Sequence, residues 1–155
     1  MAARITGTII RGEGNAVRNN CVLIPLLAAQ FPEIANSNQF GTINVRLDQS
    51  LDKSHADIWI RRLIWQPVQR TQRRLEAFGF IKIKFECPVS GPRYDCWIVL
   101  PEGSTITYRG DEVEIIADIF IESVGYGVKC AIDVDHTPPL AAPPSFGVLY
   151  GRSFR

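Results

Sequence analysis

The chain of 155 residues lacks an excess of either charge: 17 basic residues stand against 16 acidic ones, a formal net charge of +1. No global field draws it to nucleic acid or to an anionic membrane, so any anion site must be local. Long apolar runs are missing too. None reaches the length of a membrane span, and the N-terminus MAARITGTII begins with strand-like residues where a secretory leader would place its apolar core. The cytoplasm is the expected compartment. Cys21, Cys87, Cys96 and Cys130 include no CxxC pair and have no histidine at ligand spacing, which argues against zinc and for buried free thiols. His55 and His136 lack the Ser, Cys or Asp partners that a hydrolase triad needs. Internal repeats are absent, and convincing helix is scarce.

What is present is a series of short strands. The chain is long enough for one domain with a sizeable core and too short for two ordinary ones. Ile5–Ile10 reads as a strand that ends at a glycine segment, and Cys21–Leu23 as a short extended piece. Leu26–Phe31 is the best helix candidate, with Pro25 near its start and Pro32 after it. Asn36, Ser37 and Asn38 then make a polar turn before Phe40–Asp48, FGTINVRLD, a strand. From Ala56 to Trp65 the periodicity does not separate strand from helix. Arg70, Arg73, Arg74 and Glu76 form a solvated loop or hairpin, with Trp65 and Phe78 as core residues beside it.

Gly79–Cys87, GFIKIKFEC, alternates most cleanly, with Lys82, Lys84 and Glu86 between apolar residues. Ser90, Gly91 and Pro92 turn the chain into Tyr94–Leu100, whose continuous apolar character predicts burial on both faces. Pro101–Ser104 turns it again, Glu112–Ile121 is a long β-prone run, and Gly127–Val134 offers one more strand. The pattern predicts a mainly β fold: a small β-barrel of six-stranded type with one or two short helices and Greek-key-like connections. The barrel domain would span 1–136. Residues 137–155 change character, because Pro138, Pro139, Pro143 and Pro144 exclude regular helix or central strand. Phe146, Leu149, Tyr150 and Phe154 make this tail too apolar for a solvated linker, so it is expected to pack on its own barrel or on a neighbouring subunit of a homo-oligomer.

Two stretches carry the chemistry. In FGTINVRLD, Thr42 and Asn44 alternate with Ile43 and Val45, so a hydroxyl and a carboxamide project on one face. These are hard neutral oxygen donors that Mg²⁺ accepts when phosphates supply the negative charge. In Gly7–Ala16, GTIIRGEGNA, Gly12 and Gly14 have no side chain to keep a phosphate from their backbone N–H groups. Read singly, the glycines are a tight connection and the polar strand residues a solvated face. Read together, they suggest a site for a phosphorylated ligand.

The order of these features resembles the CTP-dependent riboflavin kinases found chiefly in archaea, which are small cradle-loop β-barrels. Gly7–Ala16 is similar to their opening strand and glycine-rich loop, with Gly12, Gly14 and Ala16 on the small-residue positions. Gly41–Asp48, GTINVRLD, is similar to the family's most specific stretch, and FGFIKI at 78–83 and YDCWIVLP at 94–101 to the two strands that follow it. The resemblance covers about residues 5 to 118. It implies a CTP phosphate donor, a flavin acceptor, Mg²⁺ held by Thr42 and Asn44, and nucleotide contacts from Gly12, Glu13, Gly14, Asn15, Ala16 and Val17. Glu114 would orient the flavin or its hydroxyl as the catalytic carboxylate. The family's leucine–arginine clamp has no counterpart, since Glu114-Ile115-Ile116-Ala117 is followed by Asp118, Ile119, Phe120, Ile121 and Glu122. A second alignment sets Gly110-Asp111-Glu112-Val113 on the family's closing strand. Three functions are compatible with this sequence: a riboflavin kinase, a barrel that binds flavin or nucleotide without turnover, and an oligomerising structural barrel with a vestigial site.

Overall fold

Alternating apolar residues need a shared interior, and in the computed structural model, which describes residues 3–12, 15–35, 42–53, 56–68, 71–102 and 110–134, they obtain it in a closed barrel. The strands in chain order are β1 (Ala3–Ile10), β2 (Thr42–Leu47), β3 (Ile58–Trp65), β4 (Arg74–Glu86), β5 (Arg93–Glu102), β6 (Glu112–Ile116) and β7 (Lys129–Val134). All pairings are antiparallel. They run β4–β5–β6–β2–β1–β7 and return from β7 to β4, which closes a six-stranded ring with no open edge. The length of β4, 13 residues, lets one edge serve two partners: Ile83–Glu86 pair with β7, while Arg74–Phe80 pair with β3, which stands outside the ring. The mainly β, six-stranded fold expected from the strand pattern is therefore present, and it is consistent with a barrel of cradle-loop type.

Two apolar clusters hold it together. Inside the barrel, Ile81, Ile83 and Phe85 of β4 meet Ile98 of β5, Val45 of β2 and Ile115 of β6. Residues of opposite parity point out, and what they are depends on what covers them. Phe78 and Phe80 lie beneath the helix α1 (Asn15–Ala28) in a second cluster with Ile24, Leu27, Phe31 and Ile34, whereas the next outward positions, Lys82 and Lys84, are exposed. Phe31 is the pivot: its ring lies 4.7 Å from that of Trp97, edge to face at 88°, and 5.2 Å from that of Phe80. Trp97 and Val99 pack against the same cluster, so β5 is covered on both faces, as its continuous apolar run predicts.

The helix departs from expectation. It spans Asn15–Ala28, and the segment Cys21–Leu23, read as extended, lies within it. Pro25 sits inside the helix near its end, where only the hydrogen bond to residue 21 is forgone, and a 3-10 turn follows at Pro32–Ile34. Tertiary packing outweighs the weak propensity of Asn19 and Asn20, because Ile24 and Leu27, one helical turn apart, are buried, as is Phe31 just past the helix end. Ala56–Trp65, ambiguous by periodicity, contains β3. A bulge between Ile60 and Leu63, with Arg62 at φ +59°, interrupts the two-residue repeat there.

Other boundaries move. β5 runs on through Pro101 to Glu102, past the expected turn, and β6 ends at Ile116, five residues before the end of the β-prone run. Gly110 and Asp111 open the fifth ring strand in chain order, not the closing one, because β7 follows. Glu76, placed in a solvated stretch, is buried on the outward face of β4. The tail 137–155, His55 and His136 lie outside the described residues.

Candidate functional site

The barrel brings three of the sequence-selected residues to one place through backbone register. Ile10 at the end of β1 pairs with Asn44 of β2, and Asn44 pairs on its other side with Glu114 of β6. Val45 and Val113 fill the interior, so Thr42, Asn44 and Glu114 occupy outward positions on adjacent strands. That face is polar but not freely solvated: Thr42 and Asn44 are half-buried and Glu114 is buried at 9% exposure. Thr42 stands opposite Ile116, which belongs to the cluster under α1, so the polar stripe begins where the helix-covered apolar surface ends.

Gly12 completes the stripe. A Cβ added there would lie 2.2 Å from Asn44 Nδ2 and 2.7 Å from its Cγ, distances at which the carboxamide would have to move, so the missing side chain lets the loop backbone lie against it. The Nδ2 side faces Gly12, and Oδ1 lies farther, at 3.2 Å from the same point. Three residues on, α1 begins at Asn15, with no acidic residue in its first turn. The unpaired N–H groups and the positive dipole end of a 14-residue helix are thus close in sequence to Gly12. Asn15, Ala16 and Val17 form that first turn; Glu13 and Gly14 lie outside the described residues.

The other end of the stripe is closed by charge. Arg46, two residues from Asn44 on the same face, pairs with Glu112 at 2.9 Å. Lys53 donates from Nζ to the Glu112 carbonyl oxygen at 2.5 Å; burial lowers its pKa, against the pull of Asp111 and Glu112. This cation was not marked by any local sequence pattern. The pairing of Arg46 with Glu112 and the hydrogen bonds from Leu47 N–H to the Asp111 carbonyl and from Leu51 N–H to the Gly110 carbonyl bring its segment alongside β6.

Thr42 and Asn44 carry hard neutral oxygens of the kind a cation such as Mg²⁺ accepts when phosphates supply the charge, and Glu114 sets a carboxylate on the strand beside them. Among the described residues no group of three or more His, Cys, Asp or Glu could hold a metal unaided. Among the described residues Cys87, Cys96 and Cys130 are free and buried, and burial foremost pushes Cys96 and Cys130 up to about 12. Among the described residues no helix is long and apolar enough to cross a membrane.

No model of a known protein family matches the chain, and no curated protein sequence matches it.

Proposed function

We propose that the chain is a riboflavin kinase-like phosphotransferase that moves the terminal phosphoryl group of a nucleoside triphosphate, CTP by resemblance, to the terminal ribityl hydroxyl of riboflavin. The bond from the γ-phosphorus to its bridging oxygen breaks, a bond from that phosphorus to the ribityl oxygen forms, and FMN and the nucleoside diphosphate leave. The hydroxyl proton passes to a carboxylate and then to water. The observation that carries this reading is the set Gly12, Asn44 and Glu114, in which a side-chain-free loop backbone lies on a carboxamide whose register partner on the next strand is a buried carboxylate.

Phosphoryl transfer needs positioning and charge neutralisation more than covalent chemistry from the protein. In this proposal the backbone at Gly12 and the start of α1 hold phosphate oxygens, and Thr42 and Asn44 present neutral oxygens to Mg²⁺. The metal, when bound, neutralises charge on the phosphates. Glu114 orients the ribityl hydroxyl and accepts its proton. A second reading, binding without turnover, draws on a different observation: β6 is followed by a loop of Asp118, Ile119 and Phe120 with no arginine to meet phosphate charge from the far side.

Incubation with riboflavin, Mg²⁺ and each nucleoside triphosphate, followed by chromatography, tests the proposal. FMN formed with CTP supports it; riboflavin quenching without product selects the binding barrel; neither FMN nor quenching removes both.

A further inference from the structure

The ring closes where β7 meets β4, through register pairs that run from Ile83 with Val134 to Glu86 with Ala131. Past the last of these pairs, Val89 N–H donates to the Lys129 carbonyl at 3.0 Å, so the two segments are still side by side there. Between those two fixed points lie Cys87 on one segment and Cys130 on the other, the next positions in the register. Their side chains share a face. Ile83, Phe85 and Cys87 alternate inward along β4 and just beyond it, Val134, Ile132 and Cys130 do so along β7, and all six belong to the interior cluster.

The backbone holds the first cysteine on two sides. Cys87 N–H donates to the Pro92 carbonyl at 3.2 Å, and the Cys87 carbonyl accepts from Ser123 Oγ at 2.7 Å. Its thiol is a weak donor to the Ser123 carbonyl, with Sγ at 3.7 Å. Cys130 has Gly7 as its partner on β1, so no side chain meets it from that ladder. Burial pushes the Cys130 thiol up to about 12, and the neighbouring Cys87 adds to the rise. Cys96 differs: its partner on β4 is Ile83, and no thiol stands across from it. One buried cysteine is ordinary packing, but two set face to face across a seam are placed for a bond.

We infer that Cys87 and Cys130 are a dithiol pair which a disulfide oxidant converts to a cross-strand disulfide, a covalent latch on the seam that closes the barrel. Facing residues of an antiparallel pair have Cα atoms about 4.5–5.5 Å apart, inside the roughly 4.4–6.8 Å that a disulfide spans. One cysteine thiolate attacks a sulfur of the oxidant, which forms a mixed disulfide and releases one thiol. The other thiolate then attacks the protein sulfur of that mixed disulfide, so the bridge forms and the second thiol leaves. Two electrons pass from the cysteines to the oxidant, and the two cysteine protons end on the released thiols. Because the thiolate is the nucleophile, burial keeps the pair reduced while the seam is shut, and exchange runs when its end opens. The bridge joins positions 87 and 130 and fixes β7 to β4. It is independent of the phosphotransfer reading.

The test equilibrates the full chain with glutathione disulfide in sub-denaturing urea, where opening of the seam does not limit exchange, and maps the cysteines by mass spectrometry without reduction. The inference predicts a monomer that has lost two thiols and a linked peptide pair that holds Cys87 and Cys130. The denaturant midpoint should rise on oxidation and return on reduction. Cys87→Ala and Cys130→Ala should each abolish the bridge and the rise, while Cys96→Ala should keep both. The peptide map of the wild type decides the matter even where an alanine variant folds poorly. The inference is overturned if the wild type keeps all its thiols, stops at a mixed disulfide, or forms its bridge to Cys21, to Cys96 or between chains. A midpoint that does not rise with the bridge formed would overturn the latch.

Discussion

The outward face of the barrel is treated in two opposite ways. Along β4 and β5 the outward residues Phe78, Phe80, Trp97 and Val99 are apolar and lie under α1 and the Phe31 ring. One strand further, past Ile116 on β6, the outward residues become Glu114, Asn44 and Thr42, which belong to neither apolar cluster of the described residues yet are buried or half-buried. Burial of apolar surface accounts for the first region, at roughly 25 cal/mol per Å² removed from water. It does not account for the second, where the buried side chains are polar and a carboxylate lies on the strand beside a carboxamide. The first region is what the barrel needs in order to fold. The second is, on the proposed function, what it needs in order to bind.

The comparison can be broken from the folding side first. Phe80→Ala removes a fully buried ring from under Phe31 and should cost about 3–5 kcal/mol, read as a lower denaturant midpoint. Loss of helix signal would accompany it, because α1 has its apolar face on that ring. A cost below about 1 kcal/mol would mean that the helix is not held by this cluster.

From the binding side, Asn44→Ala and Glu114→Gln should leave the melting temperature nearly unchanged and lower FMN formation about 100-fold, the scale expected for a lost positioning or proton-accepting group. Melting temperatures that fall as far as that of Phe80→Ala would return these residues to a structural role. Gly12→Ala is milder. Its methyl group would meet the Asn44 carboxamide, the end of a short side chain that can swing away, so stability should hold while nucleotide affinity falls about 10-fold. Equal affinity would show that the contact does not shape the site.

The smallest effect concerns Glu76, a buried carboxylate on β4 paired with Arg74 at 2.9 Å. Desolvation raises its pKa, with Arg74 and the Trp65 indole opposing the rise. The unfolded chain then loses this proton more readily than the folded one, so its contribution favours folding most below the ordinary value of 4.5 and falls as pH climbs through the raised value. Exposed Asp95 has the opposite sign: the hydrogen bond from Lys84 depresses its pKa, so its contribution is present above the ordinary range and lost in acid. Glu76→Gln should flatten the decline in stability just above pH 4.5, and an unchanged profile would assign that slope elsewhere.

The sequence was readable wherever the cause was local. Alternation in GFIKIKFEC and TINVRL marks β4 and β2, since each residue's side is decided by its neighbours. The helix was hidden because Asn19, Asn20 and Pro25 weaken the local signal, and what stabilises it is Phe80 and Trp97, far along the chain. β3 was hidden by the bulge at Arg62. The site was legible as types and not as a place: Gly12, Thr42 and Asn44 stand out by chemistry, but that Glu114 lies opposite Asn44 is a matter of strand register between residues 70 positions apart. Phe120 was concealed by its β-prone neighbours, which extended the expected strand over what is an exposed loop.

The central claim is that the polar stripe of β1, β2 and β6 holds a phosphate with its magnesium. Calorimetric titration of CTP into the wild type and Asn44→Ala, with and without Mg²⁺, tests it most directly. The account predicts magnesium-dependent binding by the wild type that Asn44→Ala loses at an unchanged melting temperature. Binding that is equal in the two proteins, or absent from the wild type, would contradict it.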